Sequence, residues 1–272
     1  MLKHLKYNAI FILLTVLACF NASAEVPGDY YSNTDGLTGN ALAEKLQEIT
    51  ASNHRPLTYK EIWSLIEETD EDINNANNIY TLYSGESIPK RCRVGGLQAQ
   101  DCPGLWNREH VWAKSHGFPR ENQWAYTDGH HLRAANEYCN DRRGTLDFAE
   151  GGDVVARCGQ SRRSNTAPRT WEPANEAKGN IARMMFYMAV RYNGNVIDQT
   201  PDLKLVDYTT QNSRPEFGKL CTLLKWHKTY PVSPAERRRN DIVYRVQGNR
   251  NPFIDVPAFA EKIWSAQCEG TP

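Results

Sequence analysis

The stretch Asn107–Gly144 opens with NREHVWAKSHG (107–117) and closes with DGHHLRAANEYCNDRRG (128–144). It sets a carboxylate, Glu109, beside an imidazole, His110. A second polar group follows, with Asp128, His130, His131, Asn140 and the arginines Arg133, Arg142 and Arg143. LWNREHVW (105–112) is short and rich in strand formers, and HHLRAA (130–135) is a plausible partner strand. Ala135–Arg143 reads as one or two helical turns stopped by Gly144. The predicted order is strand, long connection, strand, short helix. Structureless connections as long as the one from Ala113 to His130 are often functional.

This set of residues suits a metal ion, a general base and an anionic substrate. Cleaving a phosphodiester needs a deprotonated water, positive charge on the phosphate and help for the departing oxygen. His110 is the natural base, because an imidazole with an unperturbed pKa of about 6.5 is largely neutral at pH 7. Glu109 offers hard oxygen to a divalent ion, and Asn140 adds a carboxamide oxygen. So small a ligand set, completed by water and phosphate, favours Mg²⁺, with Mn²⁺ able to replace it. Zinc would call for a closed His/Cys set, and calcium for more carboxylates. Adjacent residues on an ideal strand point to opposite faces. The strand must therefore end or bulge near Glu109 and His110, or the two must address opposite sides of a phosphate. His130 and His131 also have a structural reading, with ring nitrogens bound to backbone carbonyls, and the three arginines could pair with Asp128, Glu137 or Asp141.

Working outward, residues 37–50 have apolar residues at helical spacing, and Thr58 with Glu61 forms a capping box ahead of IWSLIEE. NIYTLYSG (78–85) reads as a strand, and Cys92–Cys102 as a loop. Arg157, Arg162, Arg163 and Arg169 lie in an acid-free segment expected to be an exposed loop, placed to meet phosphate. Helices are expected over 171–194, where Ile181, Met184, Met185 and Met188 share a face, and over 217–230. His227 is expected to pack or face water. Another helix starts at Ser233-Pro234 with Glu236 in its first turn and ends at Gly248; a short terminal one buries Phe259 and Trp264. Helices outnumber strands and do not alternate with them, so the class is α+β, mostly helical, in a single mixed domain.

The first 24 residues combine Lys3 and Lys6, an apolar run from Ala9 to Phe20 and Ala22-Ser23-Ala24, which reads as a cleaved secretory signal. The run is shorter than the about 20 residues that span a bilayer, and Leu17 disfavours lipid attachment at Cys19. Residues 25–272 then form the domain, with a formal charge of −2 once the two lysines are removed. Attraction to nucleic acid must come from a local patch. Six cysteines remain, an even number in an exported chain, and they read as disulfides. Fifteen pairings are allowed. Nearness along the chain favours Cys92–Cys102, Cys139–Cys158 and Cys221–Cys268.

NREHVWAKSHG, DGHHLRAANEYCNDRRG, WEPANEAKGNIARMMFYMAVRYNG (171–194) and LLKWHKTYPVSPAERRRNDIVYRVQGNRNPFID (223–255) resemble the endonuclease I family of secreted and periplasmic nucleases. The resemblance runs from about residue 78 to about 265. It implies a ββα-metal (His-Me finger) core at about 105–144 within a mostly helical fold, and Mg²⁺-dependent cleavage of DNA, often RNA too, with little sequence preference and 5′-phosphate ends. Glu109 and Asn140 match the family's metal-binding residues and His110 its general base. Arg133 and Arg142 are the candidates for its transition-state arginine. Ala113 and Ala134 stand where many members have proline, and Arg142-Arg143-Gly144-Thr145 departs from a common D-R-G-N run; neither change removes an expected metal ligand or base.

The resulting expectation is a monomeric, periplasmic or secreted nuclease acting on DNA and RNA without stable membrane association. Two rivals differ in class. A nucleic-acid-binding protein without catalysis would keep its whole activity on loss of His110, and a small-substrate phosphodiesterase would lack salt-sensitive DNA binding.

Overall fold

The computed structural model describes residues 26–96, 101–194 and 198–270. The expected secretory signal and its expected cleavage point lie outside the described residues.

The chain begins with helices α1 (Gly39–Ser52) and α2 (Glu61–Thr69). Thr58 and Glu61 exchange the reciprocal side-chain-to-backbone bonds of a capping box at the start of α2. Strands β1 (Glu71–Asp72), β2 (Asn75–Tyr80) and β3 (Ser87–Pro89) form an antiparallel sheet in that order. The strand expected at 78–85 thus begins three residues earlier and stops at Tyr80, where the chain turns and buries Tyr83. β4 (Trp106–His110) pairs antiparallel with β5 (Leu132–Asn136), and α3 (Glu137–Arg143) follows at once. Asn136 caps α3 by accepting from the amides of Tyr138 and Cys139. The strand, connection, strand and short helix read from the sequence are all present.

β6 (Asp147–Phe148), β7 (Asp153–Val154), β8 (Arg162–Arg163) and β9 (Thr170–Glu172) make a small sheet in the order β6-β9-β8-β7. α4 (Asn175–Arg191) is followed by the parallel pair β10 (Lys204–Val206) and β11 (Glu216–Gly218). α5 (Leu220–Thr229), α6 (Pro234–Gln247), α7 (Pro252–Asp255) and α8 (Ala258–Trp264) complete the chain. Two helix starts differ from expectation. Residues 171–172 and 217–218 lie in strands, because pairing with segments outside those windows overrides the local pattern. Arg162 and Arg163 likewise form a strand within the segment expected to be a loop, while Arg157, Arg162 and Arg169 are exposed as expected.

Two apolar clusters flank the β4–β5 pair. The larger gathers α1, α4, α5 and α8, with Ile181, Met184, Met185 and Met188 buried as the spacing predicts. Phe259 and Trp264 pack here, the latter stacked on Phe186 at 4.7 Å. The smaller joins Ile62, Leu65 and Ile66 of α2 to Trp106, Leu132 and Val243. Each fully buried aliphatic side chain contributes roughly 1.5–3 kcal/mol. Buried ion pairs tie the helices together, among them Arg183 gripping Glu236 through two bonds of 2.6 Å. His227 is buried and bonded to the Pro257 carbonyl at 2.9 Å. α6 has its capping box at Ser233 and Glu236 and ends at Gly248 with φ 93°, where an added Cβ would strike the Asn53 carbonyl.

The disulfides are Cys92–Cys102, Cys139–Cys158 and Cys221–Cys268, the pairing favoured by nearness along the chain. No helix among the described residues is long and apolar enough to cross a membrane. The fold is α+β and mostly helical, a single mixed domain.

Candidate active site

β4 ends at His110, so the alternation of its side chains delivers two sets to one place. Asn107 and Glu109 point toward α3, and Arg108 and His110 to the other face. A pocket of about 330 Å³ opens across this strand end. Glu109, His110 and Asn140 all line it, together with Tyr59, Arg108, Lys114 and Asp141. β4 stays paired through His110, so Glu109 and His110 keep to opposite faces of the strand and both border the pocket at its end.

Glu109 is buried, and its Oε1 accepts from Tyr83 Oη at 2.6 Å and from Arg143 Nη1 at 2.9 Å. Neither contact uses Oε2. Burial raises its pKa, while the Arg143 charge and the Tyr83 hydroxyl act the other way. The Arg143 guanidinium also donates to the carbonyls of His110 and Val111, so it fixes the carboxylate and the backbone of the strand end together. Asn140 and Arg143 sit three apart on α3 and share a face. The Asn140 amide donates to Asn107 Oδ1 at 2.7 Å, which orients its carboxamide oxygen away from Asn107.

His110 Nε2 lies 2.9 Å from the Tyr126 carbonyl. A carbonyl only accepts, so Nε2 carries the proton and Nδ1 the lone pair. Burial holds the imidazole well below the usual pKa, helped by the positive charge of Lys114 and Arg108, so the ring is neutral at pH 7. The Tyr126 carbonyl belongs to the long connection after β4, which gives that loop a structural reason to be long.

A metal bound at this pocket would take few ligands from the protein. Among the described residues no group of three or more His, Cys, Asp or Glu could cage an ion. Glu109 Oε2 and the Asn140 carboxamide oxygen are hard oxygens at one pocket, which fits Mg²⁺ completed by water and phosphate better than zinc.

The remaining candidates go elsewhere. Arg133 is held by Asp70 through contacts of 2.9 and 3.0 Å and does not line this pocket. Arg142 lies on the exposed side of α3, 5.0 Å over the Tyr138 ring, with Arg157 4.8 Å from the same ring. It borders a neighbouring cleft of about 200 Å³ that Arg163 also lines. His130 and His131 take the structural reading, bonded to the carbonyls of Asn249 at 3.0 Å and Ala125 at 2.8 Å. Asp128 is a buried hub that accepts from Tyr187, Tyr192, Gln247 and the His130 amide.

Arg143, Tyr83 and Arg108 are the site residues that sequence reasoning passed over. The i,i+3 spacing of Asn140 and Arg143 was a usable signal; Tyr83 reaches Glu109 from 26 residues away and left none.

Comparison with known proteins decides the family. The Endonuclease I family model matches residues 38–258. The chain belongs to the endonuclease I family. It is 45% identical over 236 residues to an extracellular ribonuclease of Bacillus subtilis (strain 168), covering 86% of this chain and 78% of that protein. An extracellular ribonuclease of Bacillus amyloliquefaciens is 46% identical over the same shares. An endonuclease-1 of Buchnera aphidicola subsp. Acyrthosiphon pisum is 26% identical over 47% of this chain and 44% of its own length. As an endonuclease I family member the chain is a nuclease, and the pocket at the end of β4 is its candidate active site.

Proposed function

We propose that this member of the endonuclease I family is an exported endonuclease that hydrolyses phosphodiester bonds of DNA and RNA with little sequence preference, leaving 5′-phosphate and 3′-hydroxyl ends. The observation that carries this reading is the convergence of Glu109, a neutral His110 and Asn140 on one pocket. The names of the two Bacillus relatives support RNA as a substrate, and other relatives named endonuclease support a broader range. Three disulfides and the extracellular relatives support export.

His110 Nδ1 takes a proton from water as the water oxygen bonds to phosphorus. The P–O3′ bond breaks, the 3′ oxygen leaves and is protonated from solvent, and later loss of the His110 proton resets the base. Bound Mg²⁺, held by Glu109 and Asn140, would supply positive charge to the phosphate and the departing oxygen. Arg143 and Tyr83 hold Glu109 in place, and Asn107 orients Asn140. Arg142, Arg157 and Arg163 around Tyr138 offer the backbone a cationic path beside the site, giving affinity without base readout. Arg133 serves through its bond to Asp70 rather than at the phosphate.

The test is incubation of plasmid DNA and of a structured RNA with oxidised protein in Mg²⁺ or EDTA, followed by ligation of the products. Metal-dependent products whose 5′ ends ligate without prior phosphorylation are expected. Ends that ligate only after phosphorylation, or cleavage unaffected by EDTA, would overturn the mechanism.

A further inference from the structure

Arg108 precedes Glu109, and the hydrolytic steps leave it without a role. It lies two residues before His110 on β4 and so shares His110's face. Its guanidinium carbon is 3.3 Å from the centroid of Tyr59 and 4.0 Å from that of Trp63. Tyr59 in turn sits 6.0 Å, centroid to centroid, from the His110 ring. One tyrosine therefore flanks both the base and the guanidinium, and Tyr59, Arg108 and His110 line the same pocket.

Most buried or half-buried arginines of this chain have a carboxylate: Arg133 and Arg239 have Asp70, Arg143 has Glu109, Arg183 has Glu236, and Arg250 has Asp255. Arg108 is half-buried and has no ion-pair partner among the described residues; Glu121 is the one carboxylate among them whose field acts on it, beside those of Tyr59, Tyr126 and Arg93. Of its five N–H donors, one on Nη1 is used among the described residues, by the Tyr59 carbonyl. A guanidinium held by its faces between two rings keeps its edge for a planar, two-pronged contact with an oxyanion. Lys114, the other cation at the pocket, is exposed and donates to Tyr126 Oη at 2.9 Å.

We infer that Arg108 is a substrate-contacting residue whose guanidinium edge donates to a non-bridging oxygen of the scissile phosphate from the side of His110. This rests on the nuclease reading. Alternation along β4 then divides the work, with Glu109 and Asn140 on one side of the phosphate and His110 and Arg108 on the side from which water attacks. Charge that grows on the phosphoryl oxygens as water adds meets a donor already in place and already stripped of part of its own hydration.

The experiment compares wild type, His110→Ala, Arg108→Met and Arg108→Lys. Read-outs are plasmid cleavage in Mg²⁺, thermal melting, and the salt dependence of binding to a short DNA duplex in EDTA. Arg108→Met keeps bulk between the rings without charge. It is expected to melt close to wild type, to cleave about 100-fold or more slowly, and to lower the salt slope by about 1. Arg108→Lys keeps a point charge without the fork, so its rate should fall between the two. An Arg108→Met enzyme within threefold of wild type with an unchanged salt slope would overturn the assignment. So would two variants whose rates fall only in step with loss of folded protein, which would make Arg108 a fold residue. Wild type that cleaves nothing would overturn the nuclease reading beneath it, an outcome separate from both.

Discussion

Arg143 Nη1 lies 2.9 Å from Glu109 Oε1 and 3.0 Å from the His110 carbonyl, so one buried guanidinium on α3 ties down two successive residues at the end of β4. The side chain has no exposure and stands 4.8 Å from the Phe148 ring. Its removal would leave the buried Glu109 carboxylate without a countercharge, with Tyr83 and the His110 backbone amide as its remaining donors. Breaking a buried pair from one side costs about 3–5 kcal/mol. Arg143→Ala is therefore expected to lose stability of that order in urea unfolding. It should also raise the Mg²⁺ concentration needed for half-maximal cleavage, because an unclamped carboxylate is a poorer ligand. Tyr83→Phe, which removes one neutral donor, should cost about 1 kcal/mol. Equal losses from the two changes would contradict the geometry.

Asn140 offers a cleaner separation of function from fold. It is half-buried, and among the described residues its side chain bonds to Asn107. Asn140→Ala is expected to unfold within about 1 kcal/mol of wild type while its Mg²⁺ requirement rises about tenfold or more. Asn107→Ala frees the amide without removing it, so the shift should be smaller and in the same direction. A Mg²⁺ titration of cleavage decides the matter; unchanged half-saturation in both variants would remove Asn140 from the metal site.

The order of the elements at the site was legible in the sequence, because the motifs there are local: strand formers, a long polar connection, and a helix stopped by glycine. Capping at Ser233 and Glu236 and the methionine face of α4 were legible for the same reason. The starts expected at residues 171 and 217 were not, since Trp171 pairs with Phe148 and Arg163, and Phe217 with Leu205, all outside the windows read as helices. The inward turn of Arg143 was only half legible. Its spacing from Asn140 was visible, but its partner Glu109 comes from another element. Arg108 looked like an ordinary strand residue because Tyr59 and Trp63, which hold it, precede it by more than 40 residues.

Acid should unfold this protein before its carboxylates titrate. His54, His130 and His131 are buried around Asp128, and burial pushes them down to about 3, about 4 and about 4. In the unfolded chain they return to about 6.5. Between those values the unfolded state binds more protons, so stability rises with pH there. The contribution is complete above about pH 6.5 and is lost as pH falls toward 4. Each tenfold change in proton affinity corresponds to about 1.4 kcal/mol, so the combined loss is on the order of several kcal/mol. Urea midpoints at pH 7.5, 5.5 and 4.5 should fall steadily, and His54→Gln should flatten the curve. A midpoint constant from pH 7.5 to 4.5 would show that the cluster does not hold its imidazoles neutral.

Cys139 is the residue before Asn140, and its disulfide to Cys158 joins α3 to the loop that carries Arg157. By the loop-entropy relation, a closed loop of this size stabilises by roughly 3 kcal/mol. The double change Cys139→Ser with Cys158→Ser should lose stability of that order and weaken binding of DNA in EDTA. Fully reduced wild type should cleave more slowly than oxidised protein, which would keep the enzyme quiet until export. Cleavage by reduced protein as fast as by oxidised protein would sink that link between export and activity.

The most direct measurement is nicking of supercoiled plasmid by oxidised protein in Mg²⁺, with His110→Ala alongside and retention of the same DNA measured in EDTA. The account predicts that His110→Ala loses several orders of magnitude in rate while binding DNA as tightly as wild type. A His110→Ala protein that nicks at the wild-type rate would contradict it, because the proton would then be taken by some other group than His110 Nδ1.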